Sequence, residues 1–364
     1  MMEYVNLGDV ATYINGYAFK PEQRGKKGLP IIRIQDLNGN SHDLGFFDGE
    51  YPEQVEINTG DILISWSGSL GVYKWNKGKA LLNQHIFKVL FNKIEIDKEY
   101  FCYAIRNSLS SMSQQTHGAT MKHITKKDFD NISIPYPDLN EQKKIANNLN
   151  IVNKLIMFYE KELILFEQMV KARFIEMFRD EKHRMLMSEV CSIITDGTHQ
   201  PPKFKREGIP FIFVSNIAED RLTYNAEKFI DQETYDELIK RTPIEIGDVL
   251  LSTVGSYGHP AVVKSGKKFL FQRHIAYLKP RREIVDSEFL HGAILSSDVQ
   301  EQIEKAVKGI AQKTLNLSEI KKMVIPVPTI DRQKKFTNFV QHVDKSRFDI
   351  KKSITELERE VVYD

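Results

Sequence analysis

The chain has 364 residues, which is long enough for two domains with separate hydrophobic cores. Its hydrophobic fraction of 41% and charged fraction of 27% are ordinary for a soluble globular protein, and no apolar run approaches the ~20 residues of a membrane-spanning helix. A net charge of +2 neither requires nor excludes a nucleic-acid partner, because binding depends on how charge is distributed over the surface.

The N-terminus and the cysteines indicate the cellular compartment in which the protein is expected. The start MMEY has neither the basic residues nor the apolar stretch of a signal peptide. Cys102 and Cys191 stand alone, without disulfide or zinc spacing. We therefore expect a cytoplasmic protein that does not associate with a membrane.

The first half of the sequence predicts a mixed globular domain over residues 1–140. Short apolar runs at 29–34, 62–66 and 81–90 predict β-strands, because turns rich in Gly, Asn and Lys separate them. A helical period follows at 99–112. The segment IPYP at 134–137 then ends the regular structure, since proline lacks a backbone donor and restricts its neighbour.

A long heptad pattern follows the proline segment and predicts a spacer helix over residues 141–180. Its apolar positions alternate in the 4-3 spacing of a coiled coil. These positions are Ile145, Leu149, Val152, Ile156, Tyr159, Leu163, Phe166 and Val170. The alternative interpretation is a single amphipathic helix that lies on a globular core.

The second half repeats the first in the same order, about 180 to 190 positions later. Residues 181–331 thus predict a second globular domain, with strands at 209–214, 249–254 and 269–278 and a helix at 287–307. The matched segments are GLPIIRIQDL at 28–37 with GIPFIFVSNI at 208–217, GDILIS at 60–65 with GDVLLS at 247–252, GSLG at 68–71 with GSYG at 255–258, and IPYP with IPVP at 325–328. A repeat this long indicates two whole domains of one design rather than a solenoid.

The second spacer helix, predicted over residues 332–364, keeps the heptad phase of the first. Its matching positions are Phe336, Val340, Val343, Arg347, Ile350, Ile354, Leu357 and Val361, of which only Arg347 is polar. The first helix ends where the second domain begins and the second helix leaves that domain, so the two stripes meet only if the helices are antiparallel. We therefore predict an α+β fold in which an antiparallel coiled coil of two long helices holds two repeated globular domains apart.

This duplicated arrangement resembles the specificity subunits of type I restriction–modification enzymes. The resemblance rests on IPYPDLNEQ at 134–142 and VIPVPTIDRQ at 324–333 before the helices, on TDGTH at 195–199, and on the Gly-Asp-Ile/Val-Leu strands. It covers essentially the whole chain and implies two target-recognition domains, each followed by a spacer helix. The first copy has TYINGY at 12–17 where the second has the TDGTH segment, so we expect the two domains to read different sequences.

The resemblance implies a non-catalytic subunit that recognises an asymmetric, interrupted site in double-stranded DNA. It also implies that the subunit holds two methyltransferase (modification) subunits and, through them, the restriction subunits that carry motor and nuclease. We expect the helix pair to act as a ruler for the gap between the half-sites. Two alternatives stay open: a related system whose cleavage and methylation activities share one partner chain, and a coiled-coil scaffold that binds no DNA.

Catalytic motifs are missing from the sequence. The Pro-Pro of QPPK at 200–203 lacks the flanking residues of an adenine methyltransferase loop, and no phosphate-binding loop or metal motif occurs. Asp196 and His199 could form a catalytic dyad, but a turn-capping aspartate and a histidine that bonds DNA or backbone are the preferred roles. His85 and His274, on matched strands, are interpreted as structural. We predict no enzymatic activity, no cofactor and no metal.

Basic loops that recur in both copies are the predicted phosphate contacts. They comprise Lys20, Arg24, Lys26, Lys27, Lys74, Lys77 and Lys79 in the first domain, and Lys203, Lys205, Arg206, Lys264, Lys267 and Lys268 in the second. An ordinary solvated face is the alternative, but the recurrence favours DNA contact. Such contacts give salt-dependent affinity without sequence choice.

Base reading needs side chains with forked donors and acceptors, such as arginine for guanine and glutamine or asparagine for adenine. The candidates are Gln84, Gln114 and Gln115 in the first domain and Gln200, Gln272, Arg273 and Gln312 in the second, together with Trp66, Ser67, Thr198, His199, Ser256 and Tyr257. Several of these lie in Gly-rich loops, where the backbone can approach DNA closely. The rings of Trp66 and Tyr257 are as readily core or rim residues as DNA contacts.

Overall fold

The computed structural model describes residues 3–40, 43–115, 125–309 and 313–363, with the side chains of 110–115, 362 and 363 left out of the description. The chain forms two compact units: Met1–Met157 with Glu356–Asp364, and Phe158–Thr355. Every helix in the described part is too short or too polar to span a lipid bilayer.

Strands and short helices alternate along the first unit. Its strands are β1 (Tyr4–Asn6), β2 (Thr12–Asn15), β3 (Leu29–Ile32), β4 (Phe46–Phe47), β5 (Glu56–Ile57), β6 (Ile62–Ser65), β7 (Gly71–Lys74), β8 (Ala80–Leu82), β9 (Ile86–Leu90) and β10 (Ser133–Pro135). Its helices are α1 (Leu7–Val10), α2 (Ile34–Leu37), α3 (Lys98–Gln115), α4 (Lys126–Asp130) and the start of α5 (Leu139–Phe178). One antiparallel sheet has the order β2-β9-β6-β7, and another has the order β4-β3-β8-β5 with β3 parallel to β8.

The second unit is built in the same way. Its strands are β11 (Arg184–Leu186), β12 (Cys191–Asp196), β13 (Ile209–Ile212), β14 (Phe229–Ile230), β15 (Val249–Ser252), β16 (Pro260–Val262), β17 (Leu270–Phe271), β18 (Ile275–Pro280) and β19 (Val324–Pro326). Its helices are α6 (Met187–Val190), α7 (Gln232–Leu238), α8 (Ser287–Leu295), α9 (Ser297–Ala306), α10 (Leu317–Lys322) and most of α11 (Ile330–Tyr363). The sheet orders are β12-β18-β15-β16 and β14-β13-β17, and β13 is parallel to β17.

The strand topology confirms the predicted duplication. The order β12-β18-β15-β16 repeats β2-β9-β6-β7, and the parallel pair β13–β17 repeats the pair β3–β8. In both units a short antiparallel pair, β1–β10 or β11–β19, brings the first strand beside the proline segment that precedes the long helix. The two units therefore share one design, as the sequence repeat indicated.

The strand predicted over 81–90 is wrong in one respect, because it is two strands in two different sheets. The break comes at His85, whose φ of 71° lies in the left-handed region that few residues other than glycine adopt. Asn83 N still donates to Ile32 O of the parallel pair, whereas Ile86 already belongs to the antiparallel sheet. The run predicted over 269–278 is likewise split into β17 and β18. Both pieces are buried, so their apolar residues look like one continuous strand.

The helix predicted over 287–307 is also two helices, α8 and α9. Ser296 separates them with an extended backbone, at φ −65° and ψ 148°. Its Oγ donates to Ala293 O at 2.7 Å and accepts from Val299 N at 3.4 Å, so one hydroxyl ends α8 and caps α9. Serine competes with the helical backbone in this way, which an apolar period does not reveal.

The long helices pack antiparallel in the second unit. Phe174 of α5 lies edge-on to Phe336 of α11 with ring centroids 5.2 Å apart. Earlier along α5, Glu167 Oε1 accepts from Nη2 of Arg347, which lies later along α11, at 2.6 Å. An earlier residue of α5 thus contacts a later residue of α11, so the two helices are antiparallel, as predicted.

The heptad positions are the less exposed stripe of each helix. In α5 all eight, from Ile145 to Val170, are half-buried. In α11 Phe336 and Val343 are buried and the other six, Arg347 included, are half-buried. The second unit's main core joins Phe174, Phe178 and Phe336 of the long helices with residues of α8, so these helices are part of the folded unit.

A buried glutamine fastens α5 to the first unit. The side chain of Gln142 is 1% exposed. Its Oε1 accepts from Asp97 N at 2.9 Å, and its Nε2 donates to Pro137 O at 2.8 Å. One amide therefore holds together the loop before α3 and the proline segment before α5.

Gln333 repeats this arrangement at the start of α11. It is fully buried, and its Oε1 accepts from Asp286 N at 2.8 Å. Its Nε2 donates to Pro328 O at 2.8 Å and to Ile284 O at 3.0 Å. We call Gln142 and Gln333 the clamp glutamines, because each fixes the exit of a long helix against the loop before α3 or α8.

Replacing a clamp glutamine should destabilise the protein strongly. In Gln333→Leu, one buried N–H and two buried carbonyls lose their partner, and we expect the free energy of unfolding of the second unit to fall by about 2–4 kcal/mol. Chemical denaturation of the whole chain measures this fall. The control is Gln341→Leu at an exposed position of the same helix, expected within about 0.5 kcal/mol of wild type. Equal stability of the two variants would contradict the role of the clamp.

Candidate nucleic-acid interface

One end of the antiparallel sheet in the first unit gathers several polar and aromatic side chains. Asn15 ends β2, Trp66 follows β6, and Gln84 and His85 precede β9. Because β2 and β6 both run antiparallel to β9, these positions lie at the same end of the sheet. We call this group, with the adjoining loop 67–71, the first strand-end site.

Trp66 both packs on the core and reaches the surface of this site. Its ring stacks on Phe87 with centroids 5.6 Å apart and meets the His85 ring at 4.9 Å. Its Nε1 donates to Asn15 Oδ1 at 3.2 Å, and the residue is half-buried. The indole therefore serves as a rim residue whose edge is fixed by an asparagine.

Matched glycines let the chain come close at this point in both units. A Cβ on Gly16 would lie 2.0 Å from Asn83 O, and one on Gly197 would lie 2.3 Å from Phe271 O. No other residue fits without moving backbone. As a result Gln84 N donates to Tyr17 O at 2.9 Å, and Thr198 N donates to Phe271 O at 2.9 Å. The Asn-Gly and Asp-Gly sequences are thus held against the segments that carry Gln84 and Gln272.

The second strand-end site occupies the equivalent place but carries different side chains. Asp196 ends β12, and Arg241 ends the 3₁₀ turn Ile239–Arg241. Arg241 Nη2 donates to Asp196 Oδ1 at 2.6 Å, and His199 Nε2 lies 2.9 Å from Asp196 Oδ2. Arg241 Nη2 is also 3.2 Å from His199 Nε2. The turn-capping role preferred for Asp196 is wrong, because its carboxylate engages these two side chains instead.

His274 and Arg273 adjoin this site. Arg273 is exposed, and its Nε donates to His274 Nε2 at 3.3 Å. Partial burial lowers the pKa of His274, and the neighbouring Arg273 charge lowers it further. The ring is therefore neutral at neutral pH and can accept this hydrogen bond.

Tyr257, in the Gly-rich loop of the second unit, is bound by protein groups. Its hydroxyl donates to Glu304 Oε1 at 2.9 Å and accepts from Lys313 Nζ at 3.2 Å. The ring packs on the main core, and Lys313 Nζ lies 5.7 Å from its centroid. Of the two interpretations, these contacts favour a rim residue, while the neighbouring Ser256 is exposed.

The basic loops lie away from the strand-end sites. Lys27 precedes β3 and Lys79 precedes β8, and both strands run in the same direction. Gln84 follows the opposite end of β8. In the second unit Arg206 precedes β13 and Lys268 precedes β17, whereas Gln272 and Arg273 follow β17. Each unit therefore presents two patches, one at each end of its parallel strand pair.

Several of the candidate cations are already neutralised by carboxylates. The pairs are Arg24 with Asp43 at 3.8 Å, Lys74 with Glu99, Lys79 with Glu56 at 2.8 Å, Lys205 with Asp231 at 3.4 Å, and Lys264 with Glu288 at 2.9 Å and Asp344 at 3.1 Å. Lys267 and Lys268 lie 5.3 Å from the ring centroids of Tyr224 and Tyr235. The hydrogen bond from Lys79 lowers the pKa of Glu56, and the carboxylate raises the pKa of Lys79 in return.

The remaining cations are exposed and form no ion pair within the described part of the chain. They are Lys20, Lys26, Lys27, Lys77, Lys203 and Arg206. We call this set the unpaired cations. A lysine without an internal partner can neutralise a phosphate without first breaking an ion pair, so this set fits phosphate binding better than the paired lysines.

The glutamine candidates are only partly placed. Gln84 and Gln200 are exposed, and Gln272 is half-buried beside Thr198. The side chains of Gln114 and Gln115, and the whole of Gln312, lie outside the described residues. Sequence reasoning missed Asn15 and Arg241, whose partners are 51 and 45 residues away along the chain. No local pattern signals a pairing over such distances.

Reactive chemistry is not evident in the described residues. Burial raises the pKa of the Cys102 thiol to about 11 and that of Cys191 to about 12, so neither is a ready nucleophile. Across these residues no group of three His, Cys, Asp or Glu side chains could hold a metal ion. The strand-end sites offer hydrogen bonds and ring faces, which suit recognition.

Comparison with known proteins gives a consistent result. The family described as "Type I restriction modification DNA specificity domain" matches residues 1–165 and 187–359. The chain is 26% identical to the type I restriction enzyme EcoBI specificity subunit of Escherichia coli, over 93% of this chain and 78% of that protein. It is 22% identical to the MjaVIII specificity subunit of Methanocaldococcus jannaschii, over 94% and 86%.

Solved structures show the same fold. The S subunit of a type I restriction–modification system from M. genitalium matches with a TM-score of 0.54 at 15% identity, over 99% of this chain and 94% of that one. A structure from work on complex assembly and conformational transition of the type I R-M system matches with a TM-score of 0.62 at 16% identity, over 99% and 95%. Both repeated domains and both long helices are thus found in related folds.

Reversing two unpaired cations should weaken DNA binding for every sequence alike. In Lys203→Glu with Arg206→Glu, two phosphate contacts are lost, so the slope of log affinity against log salt should become shallower by about 2. Binding measured over a salt series gives this slope. The control changes Lys321 and Lys334, exposed lysines elsewhere in the unit, to Glu and should leave the slope near wild type. A changed base preference with an unchanged slope would speak against a phosphate role.

Proposed function

Because this chain belongs to the type I restriction–modification DNA specificity family, we propose that its two recognition domains each read one half of an interrupted, asymmetric DNA site through their strand-end sites. As a member of that family it is the DNA-recognition subunit of a restriction–modification complex. The observation that carries the proposal is that the two units share one strand framework and differ at matched strand ends. Asn15 and Trp66 occupy that end in one unit, and Asp196 and Arg241 in the other.

The two patches of each unit then have separate tasks. The unpaired cations hold phosphates and set the register of the protein on the duplex, which adds affinity without sequence choice. The strand-end sites supply the directed donors and acceptors that distinguish bases. This division agrees with the placement of the two patches at opposite ends of the parallel strand pair in each unit.

The chain itself carries no catalytic step in this proposal. Methyl transfer and DNA cleavage are supplied by partner subunits, and no cofactor is bound by the specificity subunit. Support comes from the chemistry of the sites, which consists of hydrogen-bonding side chains, aromatic rims and unreactive buried thiols.

An exposed apolar face of α5 supports the docking of such partners. Within the second unit Phe158 is 67% exposed, Leu165 52% and Met169 40%, and their spacing places them on one face of the helix. Ile164 and Ile175, at 56% and 42%, widen this face. Large apolar side chains grouped on a surface mark contact with another protein. We assign this face to methyltransferase subunits, two per chain, which in turn hold the restriction subunits.

A charge on this face should disrupt the complex without unfolding the chain. In Leu165→Glu the carboxylate would be buried against the partner, and we expect binding of the methyltransferase subunit to weaken at least tenfold. Calorimetry of the purified subunits gives the affinity, and far-ultraviolet circular dichroism checks the fold. Gln341→Glu adds the same charge at an exposed position of α11, outside this face, and should change the affinity by less than about twofold. An equal loss of affinity for the methyltransferase subunit in both variants would contradict the assignment of this face.

The proposed function is tested by mapping the bases that the complex methylates. The full chain, assembled with its methyltransferase subunit, should modify DNA at sites made of two different half-sites separated by a fixed stretch of unread base pairs. Sequencing of modified bases in a random-site library provides the map. Modification without sequence preference, or at one contiguous site, would contradict the proposal. Lack of any DNA binding by the assembled complex would instead favour the scaffold alternative.

A further inference from the structure

We propose that Arg241 reads a base in the second half-site, that this base is guanine, and that Asp196 is the residue that positions the guanidinium. The inference rests on the proposed function and deepens it, because it assigns one recognised base to one side chain. Arg241 was not among the candidates that the sequence suggested. It is identified by the contacts that hold it at the second strand-end site.

Both partners are anchored to rigid structure. Asp196 is paired with Ala276 in the register of β12 and β18. The neighbouring residue of β18, Tyr277, is fully buried, and its hydroxyl lies 2.8 Å from both Pro243 O and Asp248 Oδ2, which share its one proton. The contact with Pro243 O holds the segment that follows Arg241 against the same sheet. A guanidinium held at both its base and its tip loses little conformational freedom on binding, which favours affinity.

The electrostatics of this pair suit a base better than a phosphate. Asp196 Oδ1 lies 2.6 Å from Arg241 Nη2, so the carboxylate largely cancels the positive charge. The same carboxylate would repel a phosphate that came close. Lys203 and Arg206, exposed and without an ion pair in the described part of the chain, are far better suited to that task. Hydrogen bonding to a neutral base edge does not need net charge.

The pair leaves donors for recognition. A guanidinium has five N–H groups in a planar fork, and Asp196 Oδ1 accepts from one of them at Nη2. His199 Nε2, 3.2 Å from the same Nη2, lies closer to Asp196 Oδ2, at 2.9 Å, and in the tautomer that donates to this carboxylate it accepts nothing from Arg241. Arg241 is exposed, with 52% of its side chain accessible. In the major groove guanine presents two acceptors, O6 and N7, which an arginine fork can bond together. Adenine presents one acceptor beside a donor, so the same fork bonds it less well.

The first unit shows that this position is where the two domains differ. There Asn15 takes the place of Asp196, and its Oδ1 accepts from the Trp66 indole rather than from an arginine. The surrounding backbone is the same in both units, since Gly16 and Gly197 make equivalent close approaches to the neighbouring strand segment. A change of chemistry on a constant framework is what two readers of different half-sites require.

A structural role alone accounts poorly for the pair. The Arg241 side chain is 52% exposed and that of Asp196 is 18% exposed, and ion pairs with a solvent-exposed partner contribute little to folding. Removal of Arg241 should therefore leave the chain folded. This makes the specificity of the variant measurable in the intact complex.

The test compares Arg241→Ala, Asp196→Ala and Lys240→Ala in the assembled methyltransferase complex. Lys240 is an exposed cation next to Arg241, so its removal is the matched control. Each complex selects sites from a library in which every base of both half-sites is varied, and binding is repeated over a salt series. We expect Arg241→Ala to lower the preference for guanine at one position of one half-site at least tenfold. The other half-site and the salt slope should stay as in wild type.

Asp196→Ala should reduce the preference at that same position and no other, which a merely stabilising residue would not do. Lys240→Ala should keep the full preference. Uniformly weaker binding of Arg241→Ala with a shallower salt slope would overturn the proposal in favour of a phosphate contact. An unchanged base profile would overturn it in favour of a plain surface ion pair. If wild type itself shows no two-part site, it is the proposed function that has failed.

Discussion

The buried side-chain amides of Gln142 and Gln333 are the interaction on which the rest of the fold depends. Each satisfies backbone groups from the loop before α3 or α8 and from the proline segment before a long helix. Without such a bond, only the restricted dihedrals of the prolines and the short strand pairs β1–β10 and β11–β19 would hold the segment from which the helix leaves its unit. With it, the direction of the helix is set by the same contacts that hold the core. A DNA-recognition domain needs such a rigid attachment, because its side chains can contact specific bases only if the domain keeps a fixed orientation on its helix.

The two long helices and the two repeated domains could be predicted, because a heptad spacing and an internal repeat are visible in the sequence itself. The 4-3 spacing of apolar residues from Ile145 to Val170 signals a helix pair residue by residue, and the repeat of IPYP as IPVP signals a second copy. The break at His85 could not be predicted in this way. The strands β8 and β9 on either side of it are both largely buried, and the left-handed turn is made by a histidine rather than by a glycine. The division between α8 and α9 could not be predicted either, because it depends on hydrogen bonds of the Ser296 hydroxyl and not on the apolar period.

The chemistry of the candidate interface was predicted less well, and the cause is long-range pairing. The sequence predicts that Lys74 and Lys79 are available for phosphate, but in the structure they form ion pairs with Glu99 and Glu56. The sequence predicts a turn-capping role for Asp196, but in the structure its carboxylate accepts a hydrogen bond from Arg241. Charge clusters in a sequence thus overstate the surface that can meet a phosphate. Tertiary ion pairs remove part of it and create oriented hydrogen-bonding groups elsewhere.

Arg347 interrupts an otherwise apolar seam, and its place there has a consequence for self-association. Burial lowers the pKa of this guanidinium, and its charge is matched by Glu167 of the antiparallel neighbour at 2.6 Å. In a parallel, in-register pair of two α11 helices, Arg347 of each copy would face Arg347 of the other copy instead of a carboxylate. Like charges brought together in a partly buried seam repel each other. Arg347 thus disfavours that parallel pairing of α11 with a second copy of itself.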